Sequence, residues 1–221
     1  MDSATYSERI YREFARIGKA VASPRRLELL ELLGQGPRTV ETLAAHARMS
    51  VANTSQHLQQ LRQARLVRWK RDGQFVTYSL AGDDVRALLT SIRSVAEGRL
   101  AEVDQARREY LENRECLEQV DRQVLIERVL RGEVLVIDVR PSEEYEAGHV
   151  AGAISVPLAR LADAVRDLPR DRDVAAYCRG AYCVLAADAV EILTKHGFRA
   201  FHLQDGVFEL QAEGVDIEAG E

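Results

Sequence analysis

The chain has 221 residues, 46% of them hydrophobic, with 30 Lys and Arg against 35 Asp and Glu for a formal net charge of −5. That length suits two domains of roughly 100 residues, and the composition suits ordinary buried cores. No run approaches the ~18 apolar residues of a membrane span, and the N-terminus Met1-Asp2-Ser3-Ala4-Thr5 is no leader. Three cysteines (Cys116, Cys178 and Cys183) are too few for a disulfide framework, so the reading is a cytoplasmic protein without a membrane partner.

The charge is uneven. Residues 1–80 hold thirteen Lys and Arg against seven Asp and Glu, whereas residues 116–221 hold eleven against twenty. A basic first half is the footprint of phosphate contact, and an acidic second half is repelled by nucleic acid, so the halves have different partners.

In chain order, Ile10, Phe14, Ile17 and Val21 predict an amphipathic helix over 5–20. Ser23-Pro24 opens a second helix through Leu33, which Gly34-Gln35-Gly36-Pro37 stops. A third helix is predicted over Thr39 to Arg48 and a fourth over Val51 to Ala64. A hairpin follows, Leu66 to Arg71 and Gln74 to Leu80 about the turn Asp72-Gly73. This helix-turn-helix with a wing, carrying Ser23-Pro24-Arg25-Arg26 and Ser55-Gln56-His57-Leu58, resembles the bacterial ArsR-type repressors over about 10–110. The resemblance implies that the fourth helix enters the DNA major groove. Its outward residues are then Asn53, Ser55, Gln56, Gln59 and Arg62, the types that bind adenine and guanine edges. His57 is read as a packing or phosphate contact, and Lys70 and Arg71 of the wing suit phosphate or minor-groove contact. Metal-sensing relatives carry paired cysteines near the third helix, but this stretch has only His46, so no metal site is expected.

From Asp83 the apolar spacing Val85, Leu88, Leu89, Ile92, Val95, Leu100 and Val103 runs on to Tyr110. It predicts one long helix with a stripe to bury against a second copy. A homodimer would place two recognition helices about one DNA turn apart, on a palindromic operator. The charged stretch from Glu112 to Gln119, with Cys116, reads as a connector. The expected domains are 1–112, the connector 113–121, and 122–221.

In the last of these, the predicted strands are Leu135 to Val139, Ala153 to Val156, Val174 to Tyr177 and Arg199 to Leu203. Intervening helices over Leu158 to Leu168 and Val184 to Lys195 make a parallel α/β layout. Cys178 follows a strand and shortly precedes a helix. Backbone N–H groups and a helix dipole at that place favour a thiolate, so Cys178 is a candidate nucleophile. The loop Cys178-Arg179-Gly180-Ala181-Tyr182-Cys183-Val184, together with Asp138-Val139-Arg140-Pro141, Glu143-Glu144-Tyr145 and Gly148-His149-Val150-Ala151-Gly152-Ala153, resembles a rhodanese domain. The resemblance covers about 122–217. It implies a persulfide on Cys178 cradled by the loop amides, and no cofactor. Asp138 and Arg140 are expected to form a supporting ion pair, His149 to be a hydrogen-bonded turn residue, and His196 and His202 to be surface or strand-end residues. Many single-domain rhodaneses have Arg where this chain has Cys183. A Cys-dependent phosphatase would need Arg at the position of Val184.

The expected fold class is multidomain: an α-rich winged helix-turn-helix with a two-stranded wing, then an α/β rhodanese domain with a parallel sheet. Three functions remain open. One is a DNA-binding repressor sensing thiosulfate, polysulfide or a low-molecular-weight persulfide through Cys178, resolved by Cys183, since a neighbouring thiol can convert a persulfide into a lasting, reversible product. The others are a sulfurtransferase with an accessory DNA-binding domain, and a regulator with a non-catalytic rhodanese fold.

Overall fold

The computed structural model describes residues 2–73, 75–112, 114, 117, 118 and 120–220. They form two compact units that divide between Arg99 and Leu100, so residues 100–112, expected to close the first domain, group with the second. Residues 113, 115, 116 and 119 of the expected connector, Cys116 among them, lie outside the described residues.

The first unit opens with α1 (Ser3–Val21), whose first turn is capped by Asp2 accepting from the Thr5 amide at 2.8 Å. In α2 (Pro24–Gly34) Ser23 takes the N-cap position, although its hydroxyl makes no capping hydrogen bond. A short β1 (Arg38–Thr39) leads into α3 (Val40–His46), capped by Thr39, and α4 (Val51–Gln63) is capped by Ser50. Each hydroxyl satisfies one amide that the helix itself leaves unpaired, worth about 1 kcal/mol. The third helix ends earlier than expected, before Arg48 at φ 50° turns the chain.

The hairpin β2 (Val67–Asp72) and β3 (Phe75–Leu80) is joined by β1, giving a three-stranded antiparallel sheet in the order β1-β3-β2 rather than a two-stranded wing. Asp72 pairs with Phe75, so the turn starts one residue later than expected, at Gly73 with φ 59°. A left-handed residue there suits glycine better than aspartate. Gln74 lies outside the described residues. Leu29, Leu30, Leu43, Leu58 and Leu61 are fully buried, joined by Tyr78, Val85 and Leu89. Arg26 locks the frame: its guanidinium donates to the carbonyls of Lys19 (2.8 Å) and Ala20 (2.5 Å) at the end of α1, and to Gln60 of α4 at 2.5 Å.

The long helix expected from 83 to 110 is two helices, α5 (Asp83–Arg99) and α6 (Ala101–Glu112). The break at Leu100 comes two residues after Gly98, a poor helix former. A dimer argued from one unbroken stripe therefore loses that basis.

The second unit continues through α7 (Arg122–Leu130), β4 (Leu135–Asp138), α8 (Ser142–Ala147), β5 (His149–Val150), β6 (Ile154–Ser155) and α9 (Leu158–Ala164). Then come β7 (Val174–Tyr177), α10 (Leu185–Lys195), β8 (Ala200–Leu203), α11 (Val207–Ala212) and β9 (Ile217–Glu218). The main sheet is parallel, ordered β6-β4-β7-β8, while β5 and β9 form a separate antiparallel pair. Both faces are covered. Ile137, Val174 and Ala176 pack with Leu161, Val190 and Leu193 of α9 and α10. Val136, Ala175, Tyr177 and Phe201 pack with Ile126 of α7 and Leu210 of α11. This two-sided burial is what a parallel sheet requires. Among the described residues, no helix is long and apolar enough to cross a membrane.

Candidate functional site

Side chains along β7 alternate between faces, so Val174, Ala176 and Cys178 share one side while Ala175 and Tyr177 take the other. Parity therefore sends Cys178 into the core beneath α10, where it is 1% exposed. The chain then turns sharply. Gly180 sits at φ 131°, the Cys183 amide donates to the Gly180 carbonyl at 3.0 Å, and α10 begins at Leu185. The amino end of that helix thus opens beside Cys183.

The two sulfurs consequently differ from the expectation of one activated thiolate at Cys178. Burial raises the Cys178 thiol well above its ordinary range, and the nearness of Cys183 adds to the effect. Cys183 is instead held down to about 6, first by a hydrogen bond from the Cys178 thiol, then by the amides of Arg179 and Leu185 and the charge of Arg179. The Cys178 thiol also points at the Cys183 carbonyl, 3.3 Å away. Loop amides are shared between the sulfurs: Gly180 and Ala186 serve Cys178, Arg179 and Leu185 serve Cys183. Cys183 is the more acidic of the two first because it accepts from the Cys178 thiol, and it is also the less deeply buried.

Arg179 is fixed from below. Its Nε donates to both carboxylate oxygens of Glu144 at 3.0 Å and its Nη2 to Oε1 at 2.5 Å, with Glu144 fully buried. A second buried pair supports the neighbouring strand end. Arg140 donates to Asp138 through Nε (3.0 Å) and Nη2 (2.6 Å), and also to the Gly148 carbonyl at 2.7 Å. The Tyr177 hydroxyl donates to the same Asp138 at 2.5 Å. Asp138 and Arg140 thus form the expected ion pair, on the opposite side of the sheet end from the sulfurs. His149 stacks on Tyr145 with ring centroids 3.6 Å apart, and its Nδ1 lies 2.8 Å from the Tyr145 carbonyl.

Within the second unit, α6 lies over the cysteine loop. The Tyr110 hydroxyl donates to Asp188 of α10 at 3.2 Å, and Arg114 pairs with Asp188 at 2.6 Å. Val103, Ala106, Arg107, Tyr110 and Leu111 form one wall of a pocket of about 260 Å³. Ala181, Tyr182, Cys183 and Val184 of the loop and His202 of β8 form the other. His202 is not at a strand end on the surface. It pairs in register with Ala176, two residues before Cys178, and its Nε2 is buried with no hydrogen-bond partner among the described residues. Burial, and then the charge of Arg114, lower it to about 4, so the ring is neutral.

In the first unit, α4 buries Thr54, Leu58 and Leu61 and leaves Asn53, Gln56, Gln59 and Arg62 exposed; Ser55 and His57 are half-buried. His57 Nδ1 is enclosed without a partner among the described residues. Lys70 and Arg71 are exposed on β2, with Arg71 Nε donating to the Gly73 carbonyl at 3.1 Å. Arg62 lies over the ring of Trp69 at 5.3 Å, and together with Arg65 and Arg68 they line a groove of about 580 Å³.

Sequence reasoning quoted Glu144 within a motif but gave it no role, and it missed Tyr177, Tyr110 and His202. Strand parity could have found His202, since it lies on the Ala176 and Cys178 face. The α6 wall carried no local signal.

Fold and loop together define a winged helix-turn-helix module joined to a rhodanese-type module. Comparison agrees in both halves: residues 23–68 match the bacterial regulatory protein, arsR family, and residues 121–213 match the rhodanese-like domain. HTH-type transcriptional regulator Rv0324 of Mycobacterium tuberculosis (strain ATCC 25618 / H37Rv) is 43% identical over 208 residues, 94% of this chain and 91% of that one. The chain belongs to the ArsR-type transcriptional regulators that carry a C-terminal rhodanese-like domain. Its second half is also similar to a sulfurtransferase of Allochromatium vinosum, 29% identical over 105 residues, covering 47% of this chain and 96% of that protein. The solution structure of a homodimeric winged helix-turn-helix DNA-binding domain from Mycobacterium bovis is 36% identical, covering 45% of this chain and 91% of that one, with a TM-score of 0.42.

Proposed function

We propose that this transcriptional regulator is a repressor that senses reactive sulfur through the Cys178–Cys183 loop. The observation that carries the reading is two cysteines in one tight loop, the Cys178 thiol 3.3 Å from the Cys183 carbonyl, on a chain that also has a winged helix-turn-helix. A thiolate at neutral pH attacks sulfane sulfur; the donor's S–S bond breaks, its thiolate leaves, and a persulfide remains on the loop. Either Cys178 carries that persulfide with Cys183 resolving it, or the roles are exchanged. Thiosulfate, polysulfide and low-molecular-weight persulfides are the donor classes. Such a regulator acts in the cytoplasm, on the genome.

On the DNA side, Asn53, Gln56, Gln59 and Arg62 have the exposure and chemistry for base readout, Ser55 and His57 border that face, and Lys70 and Arg71 suit phosphate. Exposed Tyr6, Tyr11 and Phe14 on α1 supply an apolar face that supports a homodimer on a palindromic operator.

The test is operator binding by full-length protein with and without inorganic polysulfide, with sulfur located by mass spectrometry. A coupling of about 1–3 kcal/mol changes operator affinity roughly 5- to 150-fold. Wild type and Cys178→Ser should bind alike when reduced and diverge after treatment. Equal affinities for treated and untreated wild type, with sulfur verified on the loop, refute sensing. A second reading, a sulfurtransferase with an accessory DNA-binding domain, is favoured by the likeness to the Allochromatium vinosum protein; multiple turnovers to a thiol acceptor would establish it.

A further inference from the structure

Cys178 and Cys183 are not equally placed to meet a donor. Cys183 lines the pocket beneath α6, whereas Cys178 is 1% exposed, does not line it, and directs its thiol at Cys183. The pocket is walled by Val103 and Leu111 of α6 and by Val184 of the loop, with Tyr110 alongside. Its groups for meeting a charged ligand are few. His202 is neutral with an unpartnered Nε2, and Arg107 is held by Asp104 at 3.0 Å and by Gln204 at 3.3 Å. The loop's own guanidinium, Arg179, is clamped by Glu144. The apolar part of that wall favours a donor with an apolar body, which sheds water favourably on entering.

We propose that this pocket takes an organic hydropersulfide with an apolar body and delivers its outer sulfur to Cys183, with Cys178 acting as the second thiol. The proposal rests on the sulfur-sensing reading above and assigns its entry point and donor class. In the first step the Cys183 thiolate attacks the outer sulfur of R–S–S–H. The S–S bond breaks, R–S⁻ leaves with the electron pair and takes a proton from water, and Cys183 holds S–SH. In the second, Cys178 loses its proton to water and attacks the Cys183 sulfur. The bond to the outer sulfur breaks, hydrosulfide leaves, and a Cys178–Cys183 disulfide remains. The two thiols lose two electrons and the sulfane sulfur gains them, so no other oxidant is needed. His202 Nε2 is the polar group available to hydrogen-bond the bound donor.

Cys183 lines the pocket and Cys178 does not, so Cys183 is the sulfur that meets the donor first. Full-length protein is exposed to limiting benzyl hydropersulfide or to inorganic polysulfide, and sulfur is located by peptide mass spectrometry over time. Cys178→Ser should accumulate a persulfide on Cys183, and Cys183→Ser should load ~10-fold or more slowly. Val103→Phe, which fills the pocket, should lower the ratio of benzyl hydropersulfide to polysulfide loading rates by ~10-fold, as a ratio independent of general damage. Loading of Cys178 in Cys183→Ser at the wild-type rate, or an unchanged ratio in Val103→Phe, overturns the proposal while leaving sulfur sensing intact. Failure of both cysteines to take sulfur from either donor overturns both.

Discussion

Arg179 of the reactive loop and Glu144 form a two-pronged ion pair in which the carboxylate is fully buried, with three contacts between 2.5 and 3.0 Å. Removing one partner strands the other charge away from water. Glu144→Ala should therefore destabilise the second unit by about 3–5 kcal/mol, read as faster hydrogen exchange of the β7 amides. The double variant Glu144→Gln with Arg179→Gln should recover part of the loss, because no charge is left unpaired. A cost below about 1 kcal/mol for Glu144→Ala would mean that water reaches the pair.

Alkylation by iodoacetamide should report the acidic thiol. Cys183 has its folded-state value lowered to about 6, so its reaction rate should rise about fivefold from pH 5 to 6 and level off above pH 7. The Cys178 hydrogen bond is the first cause of that lowering, so Cys178→Ala should move the midpoint upward. A wild-type midpoint near the ordinary cysteine value would remove the acidity from the mechanism.

His202 gives stability a dependence on acid. Its folded-state value is lowered to about 4, against an ordinary value near 6.5 when unfolded. The unfolded chain thus binds the proton first. The contribution is fully present above about pH 6.5 and declines as pH falls towards 4, by up to about 3 kcal/mol. Stability of wild type minus His202→Gln, measured by urea unfolding between pH 4.5 and 7, should fall with acid. A flat difference would place the ring in water.

For DNA, Gln56→Ala and Gln59→Ala should each weaken operator binding by about 1–3 kcal/mol and relax sequence preference. Lys70→Ala should weaken binding to all sequences alike and reduce the salt slope by about 1. A fluorescence titration at two salt concentrations separates the two. Equal losses on operator and unrelated DNA for Gln56→Ala would take that residue off the bases.

Much of this architecture was readable from local pattern. Ser50 and Thr39 stand where helices must start, the Leu29 to Leu33 run fits a helix with little exposed face, and Val174 to Tyr177 reads as a buried strand. Non-local features were not. The two-residue β1 has too little pattern to announce itself and exists because β3 offers an open edge. The break at Leu100 interrupts an apolar spacing that continues through it, so periodicity alone ran two helices together. The acidity of Cys183 over Cys178 depends on which sulfur the sheet buries, a result of strand parity combined with the start of α10. The role of Glu144 became visible only once α8 and the loop were in contact.

The loop packs against the chain at Gly206 more closely than any side chain would allow. A Cβ there would stand 2.6 Å from the Arg179 carbonyl oxygen and 2.7 Å from its carbon. On that flank main chain lies against main chain, with the Glu209 carboxylate accepting from the Gly206 amide alongside. An atom added to either sulfur cannot be accommodated by bending the loop towards Gly206. That backbone contact is a stop on one flank of the loop, and it exists because position 206 carries no side chain.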